Sequence, residues 1–260
     1  MKHKLLWLFL IVGFLFTGTS TAFAMDQAEV DKLVKELDER RKSVGDYKAL
    51  IYIDQKQQDK SDLVYEVVLY RRESTDRMVI LFTQPRAEAG KGYLRIDRNL
   101  FLYDPAVGRW ERRTDRERIG GTGSQRTDFD AMELAESFDA EFVAEEKLGA
   151  FDVRHLRLKA KDGVDVPYPI LRIWVDKASG NLLKQEDYAL SERLMRTLYY
   201  PRWQKVQNEA KDAEVLFPQE IRIFDEVEKG NRTTMVFRSI ELEALDNHIF
   251  TKAWLESKSR

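Results

Sequence analysis

The chain contains no cysteine, and all chemistry that needs a thiol is thereby excluded. No disulfide can staple it, no thiolate can hold zinc or attack a substrate, and no lipid can be attached to an N-terminal cysteine. Histidine is almost as scarce, at three residues in 260. Beyond His3, only His155 and His248 remain, in neither a HExxH nor a His-x-His context, so a histidine metal site or triad has little support. His155 falls inside a strand pattern and reads as structural. Neither a GxSxG elbow nor a GxxxxGK[ST] phosphate loop occurs. An excess of one charge is lacking too. The 43 Lys+Arg face 45 Asp+Glu, which argues against a nucleic-acid binder that relies on phosphate neutralisation. At 43% hydrophobic residues the chain is nonetheless too apolar for disorder.

One long apolar run is present, Leu5–Phe16, preceded by Lys2, His3 and Lys4 and followed by small residues ending in Ala22-Phe23-Ala24. This is the pattern of a secretory signal peptide over residues 1–24, cleaved after Ala24. As a helix its apolar run would cover only about 18 Å, short of the ~30 Å hydrocarbon core of a bilayer. Cleavage removes two lysines and takes the net charge from −2 to −4. No later stretch approaches ~18 consecutive apolar residues. Residues 25–260 are therefore expected to form one soluble, exported, periplasmic domain, large enough to be stable without disulfides.

The mature chain opens on a helical pattern. Asp26 can cap it with Glu29 three residues on, and Val30, Leu33, Val34 and Leu37 make one apolar stripe that ends at Val44-Gly45-Asp46. Strand patterns follow at Tyr47–Lys56, Asp62–Arg72, Arg77–Thr83, Gly92–Asp97, Leu100–Tyr103 and Arg109–Arg113. A glycine-bearing irregular stretch, Ile119–Arg126, leads to a short helix expected over Asp128–Phe138. Strands resume at Glu141–Leu148, Val153–Lys161, Ile170–Asp176, Leu182–Leu190, Leu194–Val206, Val215–Asp225 and Thr233–Leu242, before a closing helix over Asn247–Leu255. About a dozen strands joined by short turns predict one mainly β, α+β domain built on an antiparallel meander. Leu63–Tyr70, Pro169–Val175 and Met235–Leu242 are apolar on both faces. A sheet with one solvated face would alternate, so a covered concave face is expected, filled by a helix or by a ligand.

No catalytic constellation emerges. Glu145/Glu146 and Asp128/Asp130/Glu133 are carboxylate groups of the kind a glycosidase needs. The second group is better explained as helix capping from Thr127 or Asp128, and it lacks the glycine and final glutamate of an EF-hand. Tyr188, Tyr199, Tyr200 and Trp203 suit a core or an apolar groove. The run Arg109–Arg118 also holds Glu111, Asp115 and Glu117, and reads as a mixed, solvated loop.

Two segments carry a resemblance. Gly90-Lys91-Gly92-Tyr93-Leu94 leads into Asn99-Leu100-Phe101-Leu102-Tyr103-Asp104-Pro105 and Gly108-Arg109-Trp110, and a glycine-rich loop then precedes Thr127-Asp128-Phe129-Asp130-Ala131-Met132-Glu133-Leu134. This order resembles the outer-membrane lipoprotein-sorting (LolA-like) family, and Asn247–Leu255 is similar to that family's closing segment. The loop itself departs, reading Gly-Gly-Thr-Gly-Ser-Gln-Arg where the family is more hydrophobic or serine-rich. The resemblance implies a single antiparallel unclosed β-barrel with helices covering its concave apolar face, and a cavity between them for acyl chains. It implies a monomeric carrier, not an enzyme, without cofactor, metal or nucleic acid. Such a carrier would take lipoprotein acyl chains or a related lipid from an inner-membrane transporter to an outer-membrane acceptor. An envelope sensor of the same fold, controlling a membrane partner, is the alternative, and a glycan hydrolase a third. By strand position and size, Leu33, Leu37, Tyr65, Val67, Leu69, Leu94, Trp174 and Phe237 are assigned to the cavity or its lid. An arginine latches the lid in the carrier that names the family, and Arg71 and Arg72 are the strand arginines that could do so here.

Overall fold

A computed structural model describes residues 25–259 except 43, 59, 98, 115, 131, 132 and 209–211. The signal-peptide segment, residues 1–24, lies outside the described residues. Helix α1, Gln27–Lys42, starts where the sequence predicts, with a reciprocal capping box. The Glu29 amide donates to Asp26 Oδ1 at 2.8 Å, and the Asp26 amide donates to Glu29 Oε2 at 3.0 Å.

Thirteen strands follow. The first six are β1 (Tyr47–Lys56), β2 (Leu63–Arg72), β3 (Arg77–Gln84), β4 (Gly92–Ile96), β5 (Asn99–Asp104) and β6 (Arg109–Arg113). The remaining seven are β7 (Phe138–Leu148), β8 (Phe151–Ala160), β9 (Ile170–Asp176), β10 (Leu182–Tyr188), β11 (Leu194–Asn208), β12 (Ala213–Asp225) and β13 (Arg232–Glu241). They form one antiparallel sheet in the order β6-β5-β4-β3-β2-β1-β13-β12-β11-β10-β9-β8-β7. β1 joins the two meanders by pairing with β13, with Ile53 opposite Met235 and Ile51 opposite Phe237. β6 and β7 do not pair, so the barrel is unclosed.

The helix expected over Asp128–Phe138 is replaced by shorter pieces. A 3₁₀ turn spans Arg126–Phe129, and a single helical turn, α2, spans Leu134–Ser137 before the chain enters β7. Of the four residues between them, 131 and 132 are outside the description. The closing segment is a 3₁₀ turn, Asn247–Phe250, and helix α3, Lys252–Lys258.

Alternation sorts the side chains into two layers. On the concave side, α1 buries Val30, Leu33, Val34 and Leu37 in one cluster with Ala49, Ile51, Val67, Leu69, Phe237 and their neighbours. Full burial of each such side chain contributes about 1.5–3 kcal/mol. On the convex side a second cluster joins Val79, Leu81 and Leu94 to Leu245, Phe250 and Leu255 of the closing segment. Gly92 permits that approach, since a Cβ there would lie 2.7 Å from Leu255 Cδ1. The doubly apolar pattern of β2 is covered unequally: Tyr65, Val67 and Leu69 are buried in the concave cluster, whereas on the other face Tyr70 packs on the convex cluster and Val64 is 57% exposed.

Candidate functional site

Residues 119–130 cross the concave face as a strap. Its first turn, Ile119–Gly121, needs glycine twice, because Gly120 and Gly121 have φ of 60° and 72°. A Cβ on Gly120 would also sit 3.0 Å from the Phe82 ring. Two tyrosines hold that turn. The Tyr65 hydroxyl donates to the Gly120 carbonyl at 3.0 Å, and the Gly120 amide donates to the Tyr93 hydroxyl at 3.2 Å. Three residues on, the Gly123 amide donates to Gln55 Oε1 and Thr233 Oγ1, both at 2.8 Å, where β1 meets β13. Thr122 and Ser124 are fully buried and share a hydroxyl hydrogen bond of 2.6 Å.

Ion pairs fasten the rest of the strap. Arg196 of β11 makes two hydrogen bonds to the Asp128 carboxylate, at 2.8 and 2.9 Å, and a third to Asp187 at 2.5 Å. Burial opposes the Arg196 charge, but Asp128 and Asp187 outweigh it and hold the guanidinium above its ordinary range. Burial pushes the Asp187 carboxyl up, against the pull of Arg196. Asp130 lies 3.0 Å from Arg95 and 3.4 Å from Arg71, and is also paired with Arg126. Arg71, 2% exposed, further meets Asp76 at 2.7 Å and Glu73 at 3.2 Å. Asp128 is therefore a buried ion-pair partner and not the cap of a long helix.

α1 is tied to the same layer. Asp38 accepts the Leu134 and Ala135 amides at 2.9 and 2.8 Å, capping α2 from another helix, and burial raises its carboxyl pKa. Arg41 donates to the Asp130 carbonyl at 3.2 Å. Helix, strap and α2 form one cover, fixed to the sheet by apolar contacts of α1, Ile119, Phe129 and Leu134 and by polar bonds along the strap.

The structure brings six of the eight assigned residues together. Leu33, Leu37, Tyr65, Val67, Leu69 and Phe237 all belong to the concave cluster. Leu94 and Trp174 do not. Leu94 packs in the convex cluster, while Trp174 stacks on His155 at 4.3 Å with Lys184 Nζ 4.2 Å from its ring centroid. Leu94 alternates with Tyr93 and Arg95, which face the strap, and Trp174 lies on a strand apolar on both faces, so size and position do not assign either to the cavity. Of the two arginines, Arg71 faces the strap. Arg72 turns to the closing segment, pairing with Asp46 at 2.8 Å and bonding to Asn247 and the Leu245 carbonyl.

Two clefts flank the strap. One of about 680 Å³ lies between its first turn and the β3–β4 connection, over Tyr65, Phe82, Tyr93 and Leu102. Another of about 160 Å³ lies on the far side, beside Gln125, Tyr168 and Arg196. Among the described residues no group of three or more His, Asp or Glu is placed to hold a metal, and no helix is long and apolar enough to cross a membrane.

The model of a family described as an uncharacterized protein matches residues 74–257, which include the strap and the closing segment. The chain belongs to this family. Its fold is shared by an outer-membrane lipoprotein-sorting protein domain from Vibrio parahaemolyticus, at TM-score 0.77 and 20% identity over 89% of this chain and 100% of that one. It is shared too by the LolA superfamily protein NE2245 from Nitrosomonas europaea, at TM-score 0.72 and 20% identity over 86% and 98%. A DUF1329 family protein from Desulfovibrio piger aligns at TM-score 0.75 and 18% identity over 87% and 99%. No curated protein matches the sequence. At these identities the likeness establishes a LolA-like fold.

Proposed function

We propose that this protein is an exported, soluble, monomeric carrier that shelters the acyl chains of a lipoprotein or related lipid under the strap. It would receive them at the inner membrane and release them to an acceptor at the outer membrane, with no catalysis of its own. The observation that carries this reading is the construction of the cover: an apolar concave wall lies beneath a strap held to it by hydrogen bonds and ion pairs. Moving one CH₂ from water into an apolar site is worth about 0.8 kcal/mol, so a long acyl chain gains on the order of 10 kcal/mol gross. A neutral hydrogen bond such as those of Gly120 with Tyr65 and Tyr93 contributes only about 1 kcal/mol net. Cargo of this kind can therefore offset the loss of several such bonds, whose return lowers its net affinity and eases transfer to an acceptor that binds it more tightly. The lipoprotein-sorting domain from Vibrio parahaemolyticus supports the cargo class.

The test loads residues 25–260 with an environment-sensitive apolar dye and titrates a triacylated lipopeptide against its unacylated counterpart. Saturable displacement by the acylated form alone is expected. Absence of dye uptake and of displacement would mean that the concave wall is filled core, and the carrier reading would fall.

A further inference from the structure

The larger cleft is unlike the wall beneath the strap, because its rim is charged. Its floor is aromatic, with Phe82 edge-on to Tyr65 at 5.2 Å and 6.2 Å from Tyr93. Both tyrosine hydroxyls are already bonded to Gly120, so the floor offers a ligand mainly carbon. Its volume of about 680 Å³ falls in the range of ordinary small-molecule sites, roughly 300–1,000 Å³. The rim carries Lys91, Arg113, Arg116 and Arg118 against Glu88 and Glu117, a cationic excess in a chain whose overall balance is negative.

The rim cations differ in how firmly they are held. Lys91 meets Glu88 at 2.9 Å and Arg118 meets Asp225 at 2.8 Å. Arg116 meets Asp165 at 3.6 Å, with both side chains exposed. Arg113 bonds to Glu111 at 2.7 Å and lies 3.7 Å from Glu117. Its Nε is buried and has no hydrogen-bond partner. Solvated pairs of this sort contribute roughly 0–1 kcal/mol. A guanidinium accepts a phosphate or carboxylate in bidentate fashion much more strongly.

We propose that this cleft binds an anionic single-chain amphiphile, with the apolar chain over Tyr65, Phe82 and Leu102 and the anionic head between Arg113 and Arg116. The inference rests on the reading of the concave face as lipid-binding and adds the head group that the rim selects. The run Arg109–Arg118 is mixed in charge and largely solvated, as its sequence predicts, and its Arg113, Arg116 and Arg118 line the cleft.

The test titrates the mature chain with 1-palmitoyl lysophosphatidate, with the lysophosphatidylcholine of the same chain, and with inorganic phosphate, all below micelle formation. Lysophosphatidate is expected to bind about ten-fold tighter than the choline lipid. In the double variant Arg113→Gln/Arg116→Gln that ratio should fall to about one, with choline-lipid binding unchanged. Equal binding of the two lipids to the wild type, or a preference that survives the double variant, would overturn the proposal. Displacement by millimolar inorganic phosphate would do so as well, by assigning the rim to free anions. The two readings fail separately. Lipopeptide binding with no lysophosphatidate preference removes only the rim assignment, whereas an arginine-dependent preference with no lipopeptide binding removes only the carrier.

Discussion

The sheet wears two covers, and they are fastened differently. On the convex side the closing segment seals β3 and β4 through Leu245, Phe250 and Leu255, three buried apolar side chains on an apolar patch. On the concave side the strap buries Ile119 and Phe129 in the core, and between and beyond them it is held by tyrosine hydroxyls, Gln55, Thr233 and the Arg196 and Arg95 ion pairs. Apolar burial is non-directional and is lost only when the surfaces part to water. A polar bond can be exchanged for one to water or to another group at small net cost. The segment 120–123, held by neutral hydrogen bonds, is thus the part of the concave cover cheapest to open, while Ile119, Phe129 and the buried Arg196 pairs anchor it.

Substitutions can break this comparison, and the largest effect is expected at the strap's strongest tie. Arg196→Ala would leave Asp128 and Asp187 buried without their cation, a loss of about 3–5 kcal/mol. Limited proteolysis should then cut within residues 119–130 before the sheet unfolds. Cleavage that appears only with global unfolding would show that strap and sheet are one unit. Next comes Leu255→Ala on the other cover, which should cost about 3 kcal/mol by emptying a fully buried site. Denaturant midpoints should fall, while lipid affinity of the folded protein stays the same. A lipid affinity that falls in parallel would couple the two covers.

Gly120→Ala is smaller and opposite in sign for binding. It places an L-residue at φ of 60° with its Cβ against Phe82, costing the closed strap about 1–2 kcal/mol. Apolar-dye affinity should rise several-fold if opening the strap admits the dye. An unchanged affinity would mean that the strap does not gate the wall.

The smallest effect lies on the convex face of the second meander, at His155. Burial beside Trp174 lowers its pKa, aided by Arg172 and opposed by Glu146, whose Oε1 lies 3.3 Å from Nδ1. The folded state therefore favours neutral imidazole. The stability this histidine contributes is present above pH ~6.5 and is lost as pH falls through the unfolded value towards the folded one. An NMR titration should place its midpoint below ~6.5, and Glu146→Gln should lower it further. A midpoint above ~6.5 would mean that Glu146 outweighs burial.

These ties divide into those the sequence announces and those it conceals. Helix α1 was legible because Asp26, Glu29 and the Val30–Leu37 stripe act within one turn of each other. Strands β1, β6 and β9 were legible to the residue for a similar reason, since alternation and turn residues are local signals. The strap was visible only as glycines and scattered charge. Its partners, Gln55, Thr233 and Arg196, are 68, 110 and 68 positions away along the chain. Asp128 does cap a turn, accepting the Gln125 amide at 2.7 Å, and that was legible because capping needs only neighbours, whereas its pairing with Arg196 needs the fold. One signal was present and unused. Asp38 continues the apolar stripe of α1 where a charge is costly unless it is bonded, and it is bonded to α2.

Amide hydrogen exchange followed residue by residue, with and without the triacylated lipopeptide, tests the difference between the two covers most directly. The Gly120 and Gly123 amides are expected to exchange through an opening cheaper than global unfolding, and to lose protection when the lipopeptide binds. The Leu255 amide should exchange only with global unfolding and be indifferent to the lipopeptide. Strap and closing segment exchanging together, with or without lipopeptide, would contradict that difference.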